Sequence, residues 1–331
     1  MTTRRNFMGL TVAGAAGLFT ASPRVFAQAK MAEVTYLLPA QRTLPAFAPW
    51  MIASERGYFR DEGLNVNFQV GRGGVDVARM VGAGNAVVGG AIGDTPILVR
   101  ANGIPVRSVA VLGGRSLMQL VINKDKGINS LKDLKGKTIT AVSLQDTTYY
   151  ALLGMLASVG LTKNDVNAQA VGPVNVWRMF AAGQADAMAS VPDWTYYAQE
   201  AAPKMNAEVI PSDTVFKSMA QAIVASDDTI QKNPELIRRI VRATLRGLKA
   251  IIDDPESCAR DFVKAVPEQA GKDAQIAEIM RSFTKYVYSG QATLGEMDEA
   301  RLAALQEFYL KEGIISTRTP VRDLYTNQFI A

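Results

Sequence analysis

Acidic and aromatic side chains recur in this sequence at the points where predicted strands give way to helices. Asp94, Asp146 and Asp193 each stand beside a predicted helix start. Trp50 and Trp194 stand at two similar junctions. Carboxylates accept hydrogen bonds and indole rings offer flat apolar surface, a combination typical of sites that bind small organic molecules. The structural alternatives are that each aspartate caps a helix and that each tryptophan packs in a core.

Composition excludes the commonest catalytic chemistries. The chain has no histidine, and its one cysteine is Cys258. Ser-His-Asp, Cys-His and His-Glu-x-x-His sites all need histidine, and one cysteine cannot form an internal disulfide. We therefore expect no catalytic residues, no metal ion and no cofactor. An enzyme that works through the carboxylate of Asp94 or Asp193 is the rival interpretation.

Five loops are expected to hold the candidate side chains around one ligand. In open α/β sheets, ligands bind beyond the carboxyl ends of strands, at the N-termini of helices. This rule selects residues 39–50, 71–75, 93–96, 143–148 and 191–194, the first three in one lobe and the last two in another. The candidate ligand-binding residues in these loops are Gln41, Phe47, Trp50, Arg72, Gly73, Asp94, Thr95, Gln145, Asp146, Thr147, Asp193 and Trp194.

Several of these residues have a second interpretation that the sequence leaves open. Phe47 and Trp50 follow helical spacing, so we expect at least one of them to lie in the core. Arg72 stands between glycines and is either a solvated loop residue or a clamp for an anion. The glycines around it match no phosphate-binding motif. The loops combine Arg42 and Arg72 with three aspartates, which fits an aromatic, heterocyclic or zwitterionic solute as well as a sulfonate.

Strand and helix patterns alternate along the chain and predict an α/β fold. Residues 64–70 alternate apolar and polar side chains, which is the period of a strand with one buried face. Thr95 and Asp193 are predicted to cap the helices that follow them. Residues 79–86 and 178–185 share a pattern of helix end, tight turn and strand start, which suggests two similar lobes. From residue 233 onward the pattern is mostly helical.

Three motifs resemble a known family. Residues 53–66 read Ala-Ser-Glu-Arg-Gly-Tyr-Phe-Arg-Asp-Glu-Gly-Leu-Asn-Val, residues 127–137 read Gly-Ile-Asn-Ser-Leu-Lys-Asp-Leu-Lys-Gly-Lys, and residues 182–187 read Ala-Gly-Gln-Ala-Asp-Ala. They resemble solute-binding proteins of the nitrate, sulfonate, taurine and thiamine-pyrimidine type, which serve ABC importers. The resemblance implies a type II periplasmic binding protein fold. Such a fold has two doubly wound α/β lobes, joined by a two-segment hinge, with a ligand cleft between them.

The same resemblance implies a function and its partners. The protein is expected to capture a small-molecule solute and, as a monomer, to deliver it to an ABC permease and its ATPase. The candidate solutes are a sulfonate such as taurine, a nitrate-like anion, and an aromatic or pyrimidine-type heterocycle. A sensor that presents the solute to a receptor is the alternative. Yeast-type pyrimidine synthases resemble this fold, but they use a histidine and a cysteine-rich iron motif, and this chain has neither.

The chain is expected to divide into a leader and two lobes. Residues 1–29 resemble a twin-arginine signal peptide, with Arg4-Arg5 before an apolar run too short to span a bilayer. Cleavage is expected after Ala27 or Ala29, which would leave the mature protein in the periplasm without membrane insertion. Residues 30–119 are expected to form lobe 1, residues 120–218 lobe 2, and residues 219–331 a return to lobe 1 followed by C-terminal helices.

The charge balance gives no reason to expect a nucleic-acid partner. The chain has 36 Lys and Arg against 31 Asp and Glu. Three of the arginines lie in the expected leader, which leaves 33 basic residues against 31 acidic ones, a net charge of +2. No run of basic residues supports nucleic-acid binding.

Overall fold

The computed structural model describes residues 31–330. The predicted signal peptide, residues 1–29, lies outside the described residues. None of the helices within 31–330 has both the length and the apolar character needed to cross a membrane.

Two five-stranded mixed sheets organise the described chain. The first sheet has the order β2-β1-β3-β10-β4, and β10 runs antiparallel to both of its neighbours. Its strands are β1 (Ala32–Leu38), β2 (Leu64–Val70), β3 (Val88–Ile92), β4 (Val106–Val111) and β10 (Gln221–Ser226). The second sheet has the order β7-β6-β8-β5-β9. Its strands are β5 (Gln119–Asn123), β6 (Thr138–Ala141), β7 (Asn167–Ala170), β8 (Ala187–Ser190) and β9 (Ala207–Pro211). We call the parts built on these sheets lobe 1 and lobe 2.

Helices cover both sheets, as the α/β pattern predicts. Lobe 1 carries α1 (Ala48–Glu55), α2 (Tyr58–Asp61), α3 (Gly74–Gly82) and α4 (Thr95–Arg100), and lobe 2 carries α5 (Thr147–Ala157), α6 (Pro173–Ala181) and α7 (Pro192–Ala201). The C-terminal helices are α8 (Asp227–Lys232), α9 (Pro234–Asp253), α10 (Pro255–Ala265), α11 (Asp273–Phe283) and α12 (Glu299–Lys311). A single π-helical turn, Thr284–Tyr288, follows α11 directly.

The C-terminal helices pack onto the core of lobe 1. Ile237, Ile240 and Ile251 of α9 are fully buried in the same apolar cluster as Trp50 of α1. A Cβ atom at Gly247 would lie 2.1 Å from the carbonyl oxygen of Pro49, so α9 approaches α1 closely only because that residue is glycine. These contacts fix the first helix of lobe 1, and with it the loop that precedes the helix.

Two chain segments, residues 112–118 and 212–220, join the lobes, and one polar cluster ties them together. The backbone N–H and hydroxyl of Ser116 both donate to Oδ1 of Asp213, at 2.9 and 2.8 Å. Arg301 of α12 donates to Oδ1 of Asp213 and to the carbonyl oxygen of Ser218, each at 3.1 Å. The hinge is therefore a two-segment connection, as expected from the resemblance, and α12 is bonded to its second segment, residues 212–220.

The two lobes share a repeated unit, which confirms the internal similarity of the sequence. In lobe 1, Gly84 takes a φ of 79° after α3, and its N–H donates to the carbonyl of Val81. In lobe 2, Gly183 takes a φ of 71° after α6, and its N–H donates to the carbonyl of Phe180. Positive φ strains any residue with a Cβ atom, so glycine ends both helices and turns the chain into β3 and β8.

Candidate functional site

Asp94 lies at the end of β3 and is fully buried. The hydroxyl of Tyr309 donates to its Oδ2 at 2.5 Å, whereas its Oδ1 has no hydrogen-bond partner among the described residues. Burial raises the pKa of this carboxyl to about 7, and the nearby charge of Asp146 adds to the rise. A buried carboxyl oxygen without a partner is costly, so Asp94 is well suited to accept a hydrogen bond from a ligand.

Thr95 does not cap α4, so that prediction is wrong. The helix begins at Thr95 itself, and Asp94 occupies the N-cap position without a side-chain capping bond. The hydroxyl of Thr95 instead accepts a hydrogen bond from the N–H of Ile92 at 3.2 Å. This bond closes the turn between β3 and α4.

Asp193 is the matching buried carboxyl of lobe 2. Its Oδ1 accepts from the N–H of Trp194 at 3.1 Å, and its Oδ2 has no partner within residues 31–330. Burial raises its pKa to about 7, and the backbone N–H groups of Trp194 and Ala46 offset part of that rise. Ala46 belongs to lobe 1, in the short 3-10 helix Pro45–Phe47 before α1. The carboxyl of Asp193 therefore lies at the boundary between the lobes.

The prediction that Asp193 caps α7 is also wrong. The helix begins at Pro192 with Val191 in the N-cap position, so Asp193 lies inside the first turn. Proline has a fixed φ and no N–H to satisfy, which makes it a favoured first helical residue. The helix therefore starts two residues earlier than the capping pattern suggested, and the carboxyl of Asp193 is left for another role.

Asp146 is the aspartate that behaves as predicted. It occupies the N-cap of α5, and its Oδ1 accepts from the N–H of Thr148 at 2.9 Å and from the hydroxyl of the same residue. Burial raises the pKa of Asp146. Thr147 beside it is buried, whereas Gln145 is exposed on the loop before the helix.

Aromatic rings line the boundary between the lobes. Tyr150 of α5 packs edge-on against Tyr309 of α12, with ring centroids 5.5 Å apart. Tyr150, Phe216 and Phe308 each contact the buried cores of both lobes. Tyr309 was absent from the candidate residues because it lies in the helical tail, and its contact with Asp94 spans 215 positions of sequence. No local pattern could have indicated that contact.

The two candidate tryptophans occupy different environments. Trp194 is half-buried and packs against the cores of both lobes. Trp50 is fully buried inside lobe 1, where its ring meets Tyr36 edge-on at 5.9 Å and Phe47 at 6.0 Å. Phe47 is buried as well. Trp194 therefore lies at the boundary between the lobes, whereas Trp50 is a core residue of lobe 1.

The remaining candidates lie on the surface of lobe 1. Gln41 and Arg72 are exposed. The backbone N–H of Arg72 donates to Oδ2 of Asp76 at 3.0 Å, and Gly73, with a φ of 90°, precedes α3 as its N-cap. Arg72 is therefore exposed, whereas Asp94 and Asp193 are buried. No cluster of His, Cys, Asp or Glu within residues 31–330 could hold a metal ion.

Comparisons with known sequences give a family and two kinds of relative. Residues 44–258 match the family model described as NMT1/THI5 like. The chain is 28% identical over 322 residues to the riboflavin-binding protein RibY of Chloroflexus aurantiacus, covering 94% of this chain and 90% of that one. It is 24% identical over 268 residues to a Saccharomyces cerevisiae 4-amino-5-hydroxymethyl-2-methylpyrimidine phosphate synthase, THI13, covering 77% of each chain.

Comparisons with solved structures give the fold. The alkanesulfonate-binding protein SsuA of Xanthomonas axonopodis superposes with a TM-score of 0.69 at 16% identity, over 90% of this chain and 99% of that one. The periplasmic nitrate-binding protein NrtA of Synechocystis superposes with a TM-score of 0.67 at 12% identity, over 91% of this chain and 87% of that one. The fold is that of type II periplasmic binding proteins, as expected. Since the family model spans well over half of its residues, the chain belongs to the NMT1/THI5-like family.

Proposed function

We propose that this protein is the solute-binding component of an ABC importer and that its solute is a heterocycle rich in hydrogen-bond donors. The observation that carries the proposal is the pair of buried carboxyls, Asp94 in lobe 1 and Asp193 in lobe 2. Each has one oxygen without a partner among the described residues. N–H or O–H groups of a solute held between the lobes would satisfy both oxygens.

Charge favours a heterocycle over an anionic solute. Asp94, Asp146 and Asp193 bring three carboxyls to this region, whereas the side chain of Arg72 is exposed to solvent. A sulfonate or nitrate would be repelled by these carboxyls whenever they are ionised. The names of two sequence relatives support a heterocyclic solute, because riboflavin and the product of the yeast synthase are both heterocycles. The resemblance to SsuA and NrtA, at 16% and 12% identity, supports the fold alone.

Binding without turnover is the activity we favour. The chain has no histidine to act as a base, and Cys258 is buried in the core of lobe 1. Burial raises the pKa of its thiol to about 11, which keeps the cysteine protonated and unreactive at neutral pH. A solute incubated with stoichiometric protein should therefore be recovered unchanged.

The proposal is tested by titrating the purified protein with riboflavin, an aminopyrimidine, an alkanesulfonate and nitrate. We expect a heterocycle to bind most tightly. Asp94→Asn and Asp193→Asn should each weaken that binding about 100-fold, or ~2.7 kcal/mol, because a charge-assisted acceptor is replaced. Asp228→Asn, at an exposed ion pair on α8, is the matched control and should leave the affinity unchanged.

Two outcomes would contradict the proposal. One is tightest binding of nitrate or the alkanesulfonate. The other is unchanged heterocycle affinity in both buried Asp→Asn variants while they remain folded. Catalytic conversion of the bound solute, lost in either variant, would favour the carboxylate enzyme instead.

Export through the twin-arginine route is part of the same proposal. Replacing Arg4 and Arg5 with lysine should leave the precursor in the cytoplasm, because that translocase reads the arginine pair. The measurement is the distribution of precursor and mature protein between cytoplasm and periplasm. Mature protein that still reaches the periplasm in a strain without the twin-arginine translocase would assign export to the general secretory route.

A further inference from the structure

A cavity of about 240 Å³ lies between the lobes, beside the first turn of α7. One wall comes from lobe 2 and contains Gln119, Pro192 and Thr195. The opposite wall comes from the C-terminal helices and contains Arg281, Lys285 and Tyr286. Pro192 and Thr195 flank Asp193 and Trp194 in sequence, so this cavity, which we call the side cavity, adjoins the candidate site without including its carboxyls.

The side-chain amide of Gln119 supplies the side cavity with a buried hydrogen-bond donor. Gln119 has 1% of its surface exposed. Its Oε1 accepts from the hydroxyl of Thr195 at 2.9 Å, while its Nε2 has no hydrogen-bond partner within residues 31–330. A buried N–H without an acceptor costs about 1–3 kcal/mol. An acceptor oxygen bound in the side cavity would remove that cost.

The charges in the wall favour an anionic occupant. Arg281 is held by Glu278 and Glu256, so its charge is already compensated. Lys285 forms no ion pair among the described residues, and its Nζ lies 4.7 Å from the ring centre of Tyr286. Glu278 and Glu256 together balance the charges of Arg281 and Lys285, but both glutamates pair with Arg281. Lys285 is therefore the cation of the wall that is available to a ligand.

The backbone that presents Lys285 is itself unusual. Residues Thr284–Tyr288 form one π-helical turn directly after α11. Such turns are rare and are frequently found at functional sites. Here the turn carries Lys285 and Tyr286 into the wall of the side cavity.

We propose that the side cavity is a second binding site, which takes an oxyanion group such as a phosphate or a carboxylate. The amide of Gln119 would donate to the oxyanion and Lys285 would supply the compensating charge. The oxyanion is either a separate small anion or the tail of a solute held by Asp94 and Asp193. Both walls are needed to enclose it, so its binding stabilises the closed arrangement of the lobes. If the oxyanion is a separate small anion, the proposal is independent of the proposed function. If the oxyanion is the tail of the cleft solute, the proposal rests on that function.

The first arm of the test uses inorganic phosphate at constant ionic strength, with the melting temperature and calorimetric titration as readouts. We expect phosphate to bind wild type and Asp94→Asn equally, and to bind Lys285→Glu and Gln119→Glu at least tenfold more weakly. Lys285 is exposed, so its variant separates lost binding from lost folding. Lys272→Glu is the matched control, since this exposed lysine precedes α11 outside the side cavity.

The second arm compares riboflavin with riboflavin 5′-phosphate. Tighter binding of the phosphorylated probe by at least tenfold, lost in Lys285→Glu but kept in Lys272→Glu, assigns the oxyanion to the tail of the cleft solute. If riboflavin itself does not bind, that result counts against the proposed function. The phosphate measurements of the first arm remain a valid test of the side cavity. The second site is overturned if Lys285→Glu weakens the binding of phosphate and of riboflavin 5′-phosphate no more than Lys272→Glu does.

Discussion

The solute-free protein is expected to lose stability as the pH rises from about 4 to about 7. Burial raises the pKa of Asp94 and of Asp193 from 3.8 to about 7 in the folded chain. Between those values the folded form binds more protons than the unfolded form, so the free energy of unfolding falls with rising pH. Across the whole interval, each carboxyl lowers the free energy of unfolding by up to roughly 4 kcal/mol.

Thermal melts of solute-free protein from about pH 4 to about pH 8 provide the measurement. The double variant Asp94→Asn/Asp193→Asn should have a flatter profile and should be more stable than wild type near pH 8, because it has no carboxylates to bury. Asp228→Asn should keep the wild-type profile. A wild-type profile that rises toward pH 8 would show that these carboxyls ionise without penalty in the folded state.

Solute affinity should change in the opposite direction over the same pH range. A donor from the solute stabilises the ionised carboxylate, so binding tightens as Asp94 and Asp193 lose their protons. Stability that falls and affinity that rises in one pH interval would connect both effects to the same two groups. This opposition is typical of sites where a destabilising feature serves the ligand.

Trp50→Ala is expected to destabilise the protein by about 3–5 kcal/mol, because it removes a large side chain from a closed core. Trp50 has no exposed surface and contacts the rings of Tyr36 and Phe47. Trp177→Ala is the matched control. Trp177 is half-buried on α6, with the guanidinium of Arg178 5.3 Å from its ring centre, and its loss leaves no closed cavity. Denaturant unfolding of the three proteins measures the difference.

Trp194→Ala should produce the complementary result. Its half-buried ring at the lobe boundary is expected to contribute a stacking surface to the solute, so binding should weaken about tenfold, or ~1.4 kcal/mol, with little change in the melting temperature. A large fall in melting temperature with unchanged affinity would instead identify Trp194 as a packing residue, as proposed for Trp50.

The sequence predicted well wherever a local pattern determined the outcome. The alternation of residues 64–70 corresponds to β2, Leu64–Val70, because one face of that strand is buried. The cap by Asp146 is present, since it needs only neighbouring residues. The repeated unit around Gly84 and Gly183 is local as well.

The sequence predicted helix starts and site contacts wrongly where two local signals competed, or where a residue's role depended on a contact distant in sequence. The residue types of Thr95 and Asp193 predict helix caps, but both residues lie inside the first helical turn, beside a proline. The role of Asp94 depends on Tyr309, which reaches it from a helix 215 residues away. Only the packing of α12 across the lobe boundary brings the two together, and no window of sequence contains that information.

The position of β10 has a consequence for the order in which the chain can fold during synthesis. This strand lies between β3 and β4 and pairs with both, although more than 100 residues separate it from β4 in sequence. Until residues 221–226 leave the ribosome, β4 has no partner in the first sheet and β3 keeps an open edge. All strands of the second sheet have emerged by then, since β9 ends at Pro211. Contacts between residues that are distant in sequence form slowly, and strand edges stay unpaired and exposed until those contacts form. Lobe 1 begins to be synthesised first, but lobe 2 is the first lobe able to complete its sheet.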